Sequence, residues 1–288
     1  MPAAPRPKPD SAAAGTPPPG LLVLHGNRLE NLHALVLHFQ GLWPLPALQP
    51  EVVLVQSNGA AEWFKAAQAQ ALGISAAAMV ELPSRFVWRI YRQVLGAGAL
   101  AARSPLDRQA LVWRLLRVLP GLCARPGYES VAAFLRDDDP LRLLQLAQRL
   151  ADLYDQYQVY RADWLDAWER GDDVLLDATG RRHALAPDQA WQARLWRALL
   201  DDLGEQADAL VRPQVHRRVL DRLRTAAPGS LDLPRRVSLF GASTLAPAVL
   251  ELLVALSRHG QVVVAVPNPC RFHWADIVEG RELLRASR

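Results

Sequence analysis

The chain has 288 residues, 50% apolar and 22% charged, the balance of a soluble globular protein with one large or two ordinary domains. No run of about 18 apolar residues is present, which excludes a membrane-spanning helix. Two cysteines far apart in sequence, Cys123 and Cys270, argue against a disulfide scaffold or a cysteine metal site and fit a reducing cytoplasm. The formal charge of +4 and pI of 9.4 permit an anionic partner without requiring one. Of the 33 basic residues only Lys8 and Lys65 are lysines. Arginine forks suit phosphate and base edges, although the Ala-, Arg- and Leu-rich composition of a GC-rich genome accounts for most of the skew.

Residues 1–19 (MPAAPRPKPDSAAAGTPPP) are rich in Pro and Ala. They cannot bury a core, are expected to be disordered, and carry no apolar stretch of the secretory-leader type. Leu21-Leu22-Val23-Leu24 reads as a short buried strand, His25-Gly26-Asn27-Arg28 as a turn, and Leu29 to Phe39 as a helix. Glu51 to Gln56 is a second strand, followed by a turn at Ser57-Asn58-Gly59 and a helix through about Ala71. Strand, tight turn and helix, repeated, is the pattern of a parallel α/β sheet.

From about Pro83 to Thr225 helical periodicity replaces the strand signals. Helices are expected near 84–96, 105–118, 129–136, 140–160, 185–204 and 213–225. Pro105, Pro140 and Pro213 stand where helices can begin, and Gly171-Asp172-Asp173 and Thr179-Gly180 read as loops. Strands return at Arg236–Phe240 and Gln261–Val266, on either side of a helix from Ala246 to His259 closed by Gly260. The expected architecture is one α/β domain, residues 20–82 and 232–288, carrying an all-helical insertion over 83–231. Four strands make a small sheet, and Glu282 to Arg288 reads as helix without a terminator, so the chain reads as a fragment.

The turn after the first strand is where a nucleotide-binding motor carries G-x-x-x-x-G-K-[ST]. His25 to Asn31 has one glycine, no lysine and no following Ser or Thr, so no ATP site and no cofactor are expected. The histidines and acidic residues match no metal-binding spacing, and no G-x-S-x-G elbow supports a serine nucleophile. Asp137-Asp138-Asp139 reads as a solvated loop before Pro140. The second strand–turn is richer. Gln56 and Asn58 sit where α/β folds bind ligands and carry groups suited to bases. The alternative is that Asn58 caps the helix and Gln56 bonds the backbone. Trp88 is either core or a stacking platform.

The densest chemistry lies in Ala151 to Trp164 (ADLYDQYQVYRADW). On a helix, Leu146, Leu150, Leu153, Tyr154 and Tyr157 share one face, and Asp152, Asp155 and Gln156 share another. Carboxylates at i and i+3 repel, so that face does not serve helix stability. It is either a solvated surface or a set of groups that hydrogen-bond base edges, with the aromatic rings able to stack on bases.

Taken in order, HGNRLENL from His25, LVQSNGAAEWF from Leu54, LPSRFVW from Leu82, ADLYDQYQVYRADW from Ala151, AWQARLWRAL from Ala190, FGASTLAPAVLELLVAL from Phe240 and VPNPCRFHWADI from Val266 resemble the RecC family, the gamma subunits of exodeoxyribonuclease V. The resemblance runs from about residue 21 to the end. It implies an α/β fold: the parallel sheet of a degenerate superfamily 1 helicase-like, P-loop-NTPase-like domain with a large all-helical insertion. The family protein is far longer, so only its first motor-like domain and insertion are present here. The resemblance further implies a bacterial, cytoplasmic, non-catalytic subunit without cofactor or membrane contact. Such a subunit partners RecB and RecD in a heterotrimer and reads the Chi hotspot in single-stranded DNA during double-strand break repair. Reader positions carried over are Gln56, Asn58, Glu62, Leu82, Trp88, Asp152, Leu153, Asp155, Gln156 and Arg161, with Arg212 a weaker match. Asn58 stands where the best-known pattern has threonine and Glu62 where it has glutamine, so the octamer read may differ from the enterobacterial one. The rival readings are an active helicase-type ATPase, opposed by the missing phosphate loop, and a helical protein-interaction module without DNA contact.

Overall fold

The computed structural model describes residues 17–46, 48–96, 98–101, 103–136, 139–177, 179–204, 212–227 and 229–269. Most of the Pro/Ala-rich tail, Asp137, Asp138, Cys270 and the chain beyond it lie outside the described residues, as does the Arg212 side chain. The chain divides into two compact units. One takes the chain up to Val87, Ala226–Leu245 and the residues from Val249 on; the other takes Trp88–Thr225 and Ala246–Ala248.

The first unit is α/β. Its strands are β1 (Gly20–Gly26), β2 (Glu51–Leu54), β3 (Ala78–Glu81), β6 (Arg236–Phe240) and β7 (Gln261–Pro267), β4 and β5 belonging to the other unit. They form a wholly parallel sheet in the order β1-β7-β6-β2-β3. β6 and the first five residues of β7 are buried at every position, which is why Val262–Ala265 runs apolar instead of alternating, while β6 buries Arg236 and Ser238 among its apolar residues. Helices α1 (Leu29–Leu42) and α2 (Asn58–Leu72) follow β1 and β2. Leu32 and Val36 of α1 and Ala61 and Phe64 of α2 close over Val53, Val55, Phe240, Val263 and Ala265. Each fully buried Leu, Val or Phe side chain among these stabilises by about 1.5–3 kcal/mol.

Two strand expectations need correction. Leu21–Leu24 is not a buried strand: β1 is an edge, its burial alternates, and Leu21 and Val23 are 43% and 46% exposed. The sheet has five strands, not four, because Ala78–Glu81 pairs with β2. This strand is four residues long and Met79 is exposed, so it carries no buried apolar run to signal it.

The amino end of the sheet is closed by one buried cation. Arg236 has no exposed surface; its Nε donates to Gln261 Oε1 (2.6 Å), Nη1 to Glu51 Oε1 (2.6 Å) and Nη2 to the Trp43 carbonyl (2.6 Å). Beside it, Gly260 lets β7 begin against the chain before β6. A Cβ there would stand 2.8 Å from the Arg235 carbonyl oxygen, so the close approach admits only glycine.

In the second unit the helices are α4 (Arg108–Cys123), α5 (Glu129–Phe134), α6 (Pro140–Tyr160), α7 (Ala162–Glu169), α8 (Trp191–Leu203) and α9 (Arg212–Thr225). Helix α3 (Pro83–Leu95) leads into them, and α10 (Pro247–Leu256) lies between β6 and β7. Leu111, Leu115, Leu119, Leu150, Tyr154, Leu165, Trp168, Leu195, Trp196 and Leu199 build the helical core. This unit is not all-helical. β4 (Val174–Leu176) and β5 (Arg182–Ala184) form an antiparallel hairpin. Its turn is tied by Asp177, which accepts hydrogen bonds from Thr179 N (2.8 Å), Thr179 Oγ1 (2.7 Å) and Arg181 N (3.0 Å). Trp164 and Trp168 of α7 donate to the Leu176 and Val174 carbonyls at 2.9 and 2.8 Å. Three-residue strands held by side chains leave no period-2 pattern in the sequence. Helix α4 likewise begins after Asp107, not at Pro105, and continues through Pro120.

Candidate nucleic-acid interface

At the carboxyl edge of the sheet, β2 ends at Leu54 and the chain turns into α2 through Gln56 and Ser57. Ser57 is the N-cap: its Oγ accepts from Ala60 N at 3.1 Å. Asn58, read as a possible cap, is instead the first residue of the helix and is exposed. Gln56 bonds the backbone, as the alternative reading had it: Nε2 donates to the Thr244 carbonyl at 2.7 Å. Ser243 Oγ donates to Gln56 Oε1 at 3.3 Å. The amide is therefore oriented from both ends while the residue stays exposed. Glu62, one turn on from Asn58, is exposed and pairs with Lys65 at 3.1 Å. Leu82 follows the neighbouring strand β3 and is half-buried; its carbonyl accepts from Arg85 N and Phe86 N at 3.1 and 3.2 Å as α3 begins. Four of the expected reader positions thus gather where adjacent parallel strands end.

The same edge holds a cavity of about 280 Å³ lined by Leu29, Glu30, Gln56, Ser57, Ala60, Trp63, Phe240 and Gly241. Trp63 stacks on Phe240 with centroids 5.8 Å apart and planes at 11°. His33 meets Trp63 edge-on at 5.6 Å and Phe64 at 4.8 Å. Burial holds the His33 pKa below its ordinary value, against a backbone hydrogen bond at Phe64 that raises it. Glu30, Trp63 and Phe240 stand inside motifs that carry the resemblance, but nothing local marks them as site residues, and least of all Trp63. Its signal is exposure of 38% beside a buried ring, which only the fold supplies.

In the helical unit, α6 opens at Pro140 behind Asp139, whose side chain accepts from Leu141 N at 2.9 Å. Its buried stripe is Ala147, Leu150, Ala151, Tyr154 and Gln158, with Leu146, Leu153 and Tyr157 packed at the flanks. Tyr154 stacks on Trp196 (5.6 Å, 25°) and donates to the Gln192 carbonyl at 2.7 Å. Burial raises the Tyr154 pKa well above its ordinary value. Tyr157 donates to Gln192 Oε1 at 2.9 Å. These rings, with Trp164, support the core and are not free to stack on bases; of the aromatic residues in this stretch, Tyr160 is the exposed one, at 57%.

Asp152, Asp155 and Gln156 lie on the other face of α6, the aspartates half-buried and Gln156 exposed. Asp152 pairs with Arg108 of α4. The hydrogen bond from Arg108 holds the Asp152 carboxyl below the usual range, so this carboxylate also links two helices, a role its sequence context did not reveal. Arg161, between α6 and α7, is engaged by the protein: Nη2 donates to Asp163 Oδ2 at 2.9 Å and to the Leu176 carbonyl, and the guanidinium lies 3.7 Å from the Trp164 ring centroid. Trp88 is half-buried; its Nε1 donates to the Ala101 carbonyl at 3.2 Å and its ring tilts against Tyr91. Arg212 begins α9. Among the described residues no group of three or more His, Cys, Asp or Glu is placed to hold a metal ion, and no helix is long and apolar enough to cross a membrane.

The family model of the RecC N-terminal domain matches residues 21–288. The chain is 37% identical over 264 residues to the RecBCD enzyme subunit RecC of Escherichia coli K12, covering 89% of this chain and 22% of that protein. It is 32% identical over 275 residues to the Haemophilus influenzae protein of the same name, covering 90% and 24%. Against that of Mycobacterium tuberculosis it is 31% identical over 268 residues, covering 88% and 23%. The chain therefore spans under a quarter of the length of these relatives.

Proposed function

The chain belongs to the RecC family, and from that premise we propose that it is the DNA-reading, non-catalytic amino-terminal part of an exodeoxyribonuclease V subunit. In this reading it acts with RecB- and RecD-type partners in the bacterial cytoplasm, in recombinational repair of double-strand breaks. Its sheet is that of a motor domain which no longer binds nucleotide, and its task is to recognise a Chi-type hotspot in single-stranded DNA.

The observation that carries the reading is the carboxyl edge of the sheet. The turn after β1 is Asn27-Arg28, shorter than the expected His25–Arg28 because His25 and Gly26 pair with β7, and it lacks the lysine and glycine spacing that phosphates require. The turn after β2 and the start of α2 present Gln56, Asn58 and Glu62 to solvent. Carboxylates repel phosphate, and amides pair a donor with an acceptor as base edges require. The outward face of α6 repeats that chemistry with Asp152, Asp155 and Gln156. A helicase-type ATPase needs the missing phosphate loop; a protein-only module gives no reason for exposed amides at this edge.

The test is Asp155→Ala in the full-length protein assembled with its partners. A carboxylate facing DNA helps only through specific hydrogen bonds, such as one from a cytosine amino group, each worth about 1–3 kcal/mol of discrimination. Hotspot response is expected to change while unwinding and bulk DNA affinity stay nearly intact. An unchanged hotspot response would return this face to an ordinary solvated surface.

A further inference from the structure

We propose that the cavity at the carboxyl edge of the sheet receives one extruded base of a DNA single strand, stacked on Trp63 and selected by Glu30 and Gln56. This rests on the DNA-reading function above and adds to it a specific subsite. The cavity lies beyond the ends of β1, β2 and β6, where open α/β sheets place their ligands. At about 280 Å³ it falls at the small end of ligand pockets, which start at roughly 300 Å³, and suits a single ring system.

The lining specifies the ligand class. Trp63 is held flat on Phe240 and braced edge-on by His33, so its plane is set before any ligand arrives. A fixed aromatic plane takes any base by stacking. No Lys or Arg lines the cavity, and Glu30 does. The carboxylate disfavours a phosphate as the bound group and favours an uncharged flat one. Glu30 is exposed and, among the described residues, has no ion-pair partner, unlike Glu62.

The polar groups then discriminate among bases. One Gln56 N–H is taken by the Thr244 carbonyl and one Oε1 lone pair by Ser243, leaving one donor and one acceptor in a known orientation. Glu30 can only accept. A base with an exocyclic amine (cytosine, adenine or guanine) can donate to it. Thymine offers one ring N–H between two carbonyls and brings an oxygen against the carboxylate.

The experiment uses the full-length protein, oligonucleotides of dC and of dT that lack any hotspot, and the variants Glu30→Gln and Trp63→Phe. Glu30→Gln should reduce the preference for dC over dT by about tenfold, the loss of one discriminating contact. Trp63→Phe, which keeps a ring against Phe240, should weaken both strands alike. Thermal unfolding run alongside separates lost folding from lost binding. An unchanged dC/dT ratio in folded Glu30→Gln overturns the proposal. So does saturable cytidine binding that Glu30→Gln abolishes while strand preference is unaffected, since the occupant would then be a free nucleoside. Asp155→Ala in parallel keeps the two readings apart. If it alters hotspot response while Glu30→Gln leaves base preference intact, the hotspot reading stands and this subsite falls. The converse leaves the subsite standing and removes the α6 face.

Discussion

The two ends of the parallel sheet spend polar side chains in opposite ways. At the amino end Arg236, Glu51, Gln261 and the Trp43 carbonyl form a closed network around a guanidinium with no exposed surface. At the carboxyl end Gln56 is also tied to a backbone carbonyl, that of Thr244, yet it is exposed and keeps hydrogen-bonding capacity unused. A buried cation must be paired because uncompensated charge in the interior is costly. An exposed amide faces no such demand, so anchoring it from two directions orients it without contributing much to stability. Buried, mutually paired polar groups at one end hold the fold together; exposed, oriented ones with unused capacity at the other are free to meet a ligand.

The largest effect tests the closed end. Burial pushes the Arg236 guanidinium down and the Glu51 carboxyl up, each opposed by its partner. Arg236→Met strands a buried carboxylate and should cost about 3–5 kcal/mol in urea unfolding. Adding Glu51→Met should recover much of that loss, since two apolar side chains can replace a buried pair. Should Arg236→Met alone cost no more than a surface substitution, the amino end would not be the structural lock described here.

A mid-sized effect comes from the helical unit, which has its own closed network. Asp202 of α8 accepts from Arg114 (2.6 Å) and from Arg117. Burial of Asp202 pulls its pKa up, but the two arginines outweigh it and the net shift is down. A carboxyl whose folded pKa is depressed adds stability above its unfolded pKa, and that contribution is lost as pH falls through the folded value. The stability gap between wild type and Asp202→Asn should therefore narrow between about pH 7 and about pH 3. A gap independent of pH would mean that the ion cluster contributes shape and not charge.

How far the sequence revealed this division follows from what each feature looks like as a string. β7 was legible because its apolar run is buried on both faces, and α6 because Pro140 and a 3.6-residue stripe mark it from end to end. β3 and the β4–β5 hairpin were not, being short and held by partners remote in sequence or by a single aspartate. The candidate site was legible as residue types: Gln56, Asn58, Asp152 and Asp155 stand out in any reading. Their partners were not. Nothing local ties Asp152 to Arg108, 44 residues away, or Gln56 to Thr244, 188 residues away. Tyr154 and Tyr157 share the leucine face in the sequence, but that the rings serve the core and not base stacking follows only from their neighbours Trp196 and Gln192.

The smallest effect on stability belongs to the open end and sharpens the comparison most. Gln56→Ala removes one hydrogen bond to the Thr244 carbonyl and one from Ser243, both in exposed positions where water replaces them. Unfolding free energy should therefore change by no more than about 0.5 kcal/mol, several times less than at Arg236. Recognition should behave oppositely. If the oriented amide reads a base, its loss should lower discrimination by about 1–3 kcal/mol and leave affinity for unrelated strands close to wild type, because no phosphate contact is removed. The measurement is binding of hotspot and scrambled single strands by the full-length protein, beside its urea midpoint. A large loss of stability with recognition intact would place Gln56 in the same structural class as Arg236, and the contrast between the two ends of the sheet would fail at the residue where it is most exposed to test.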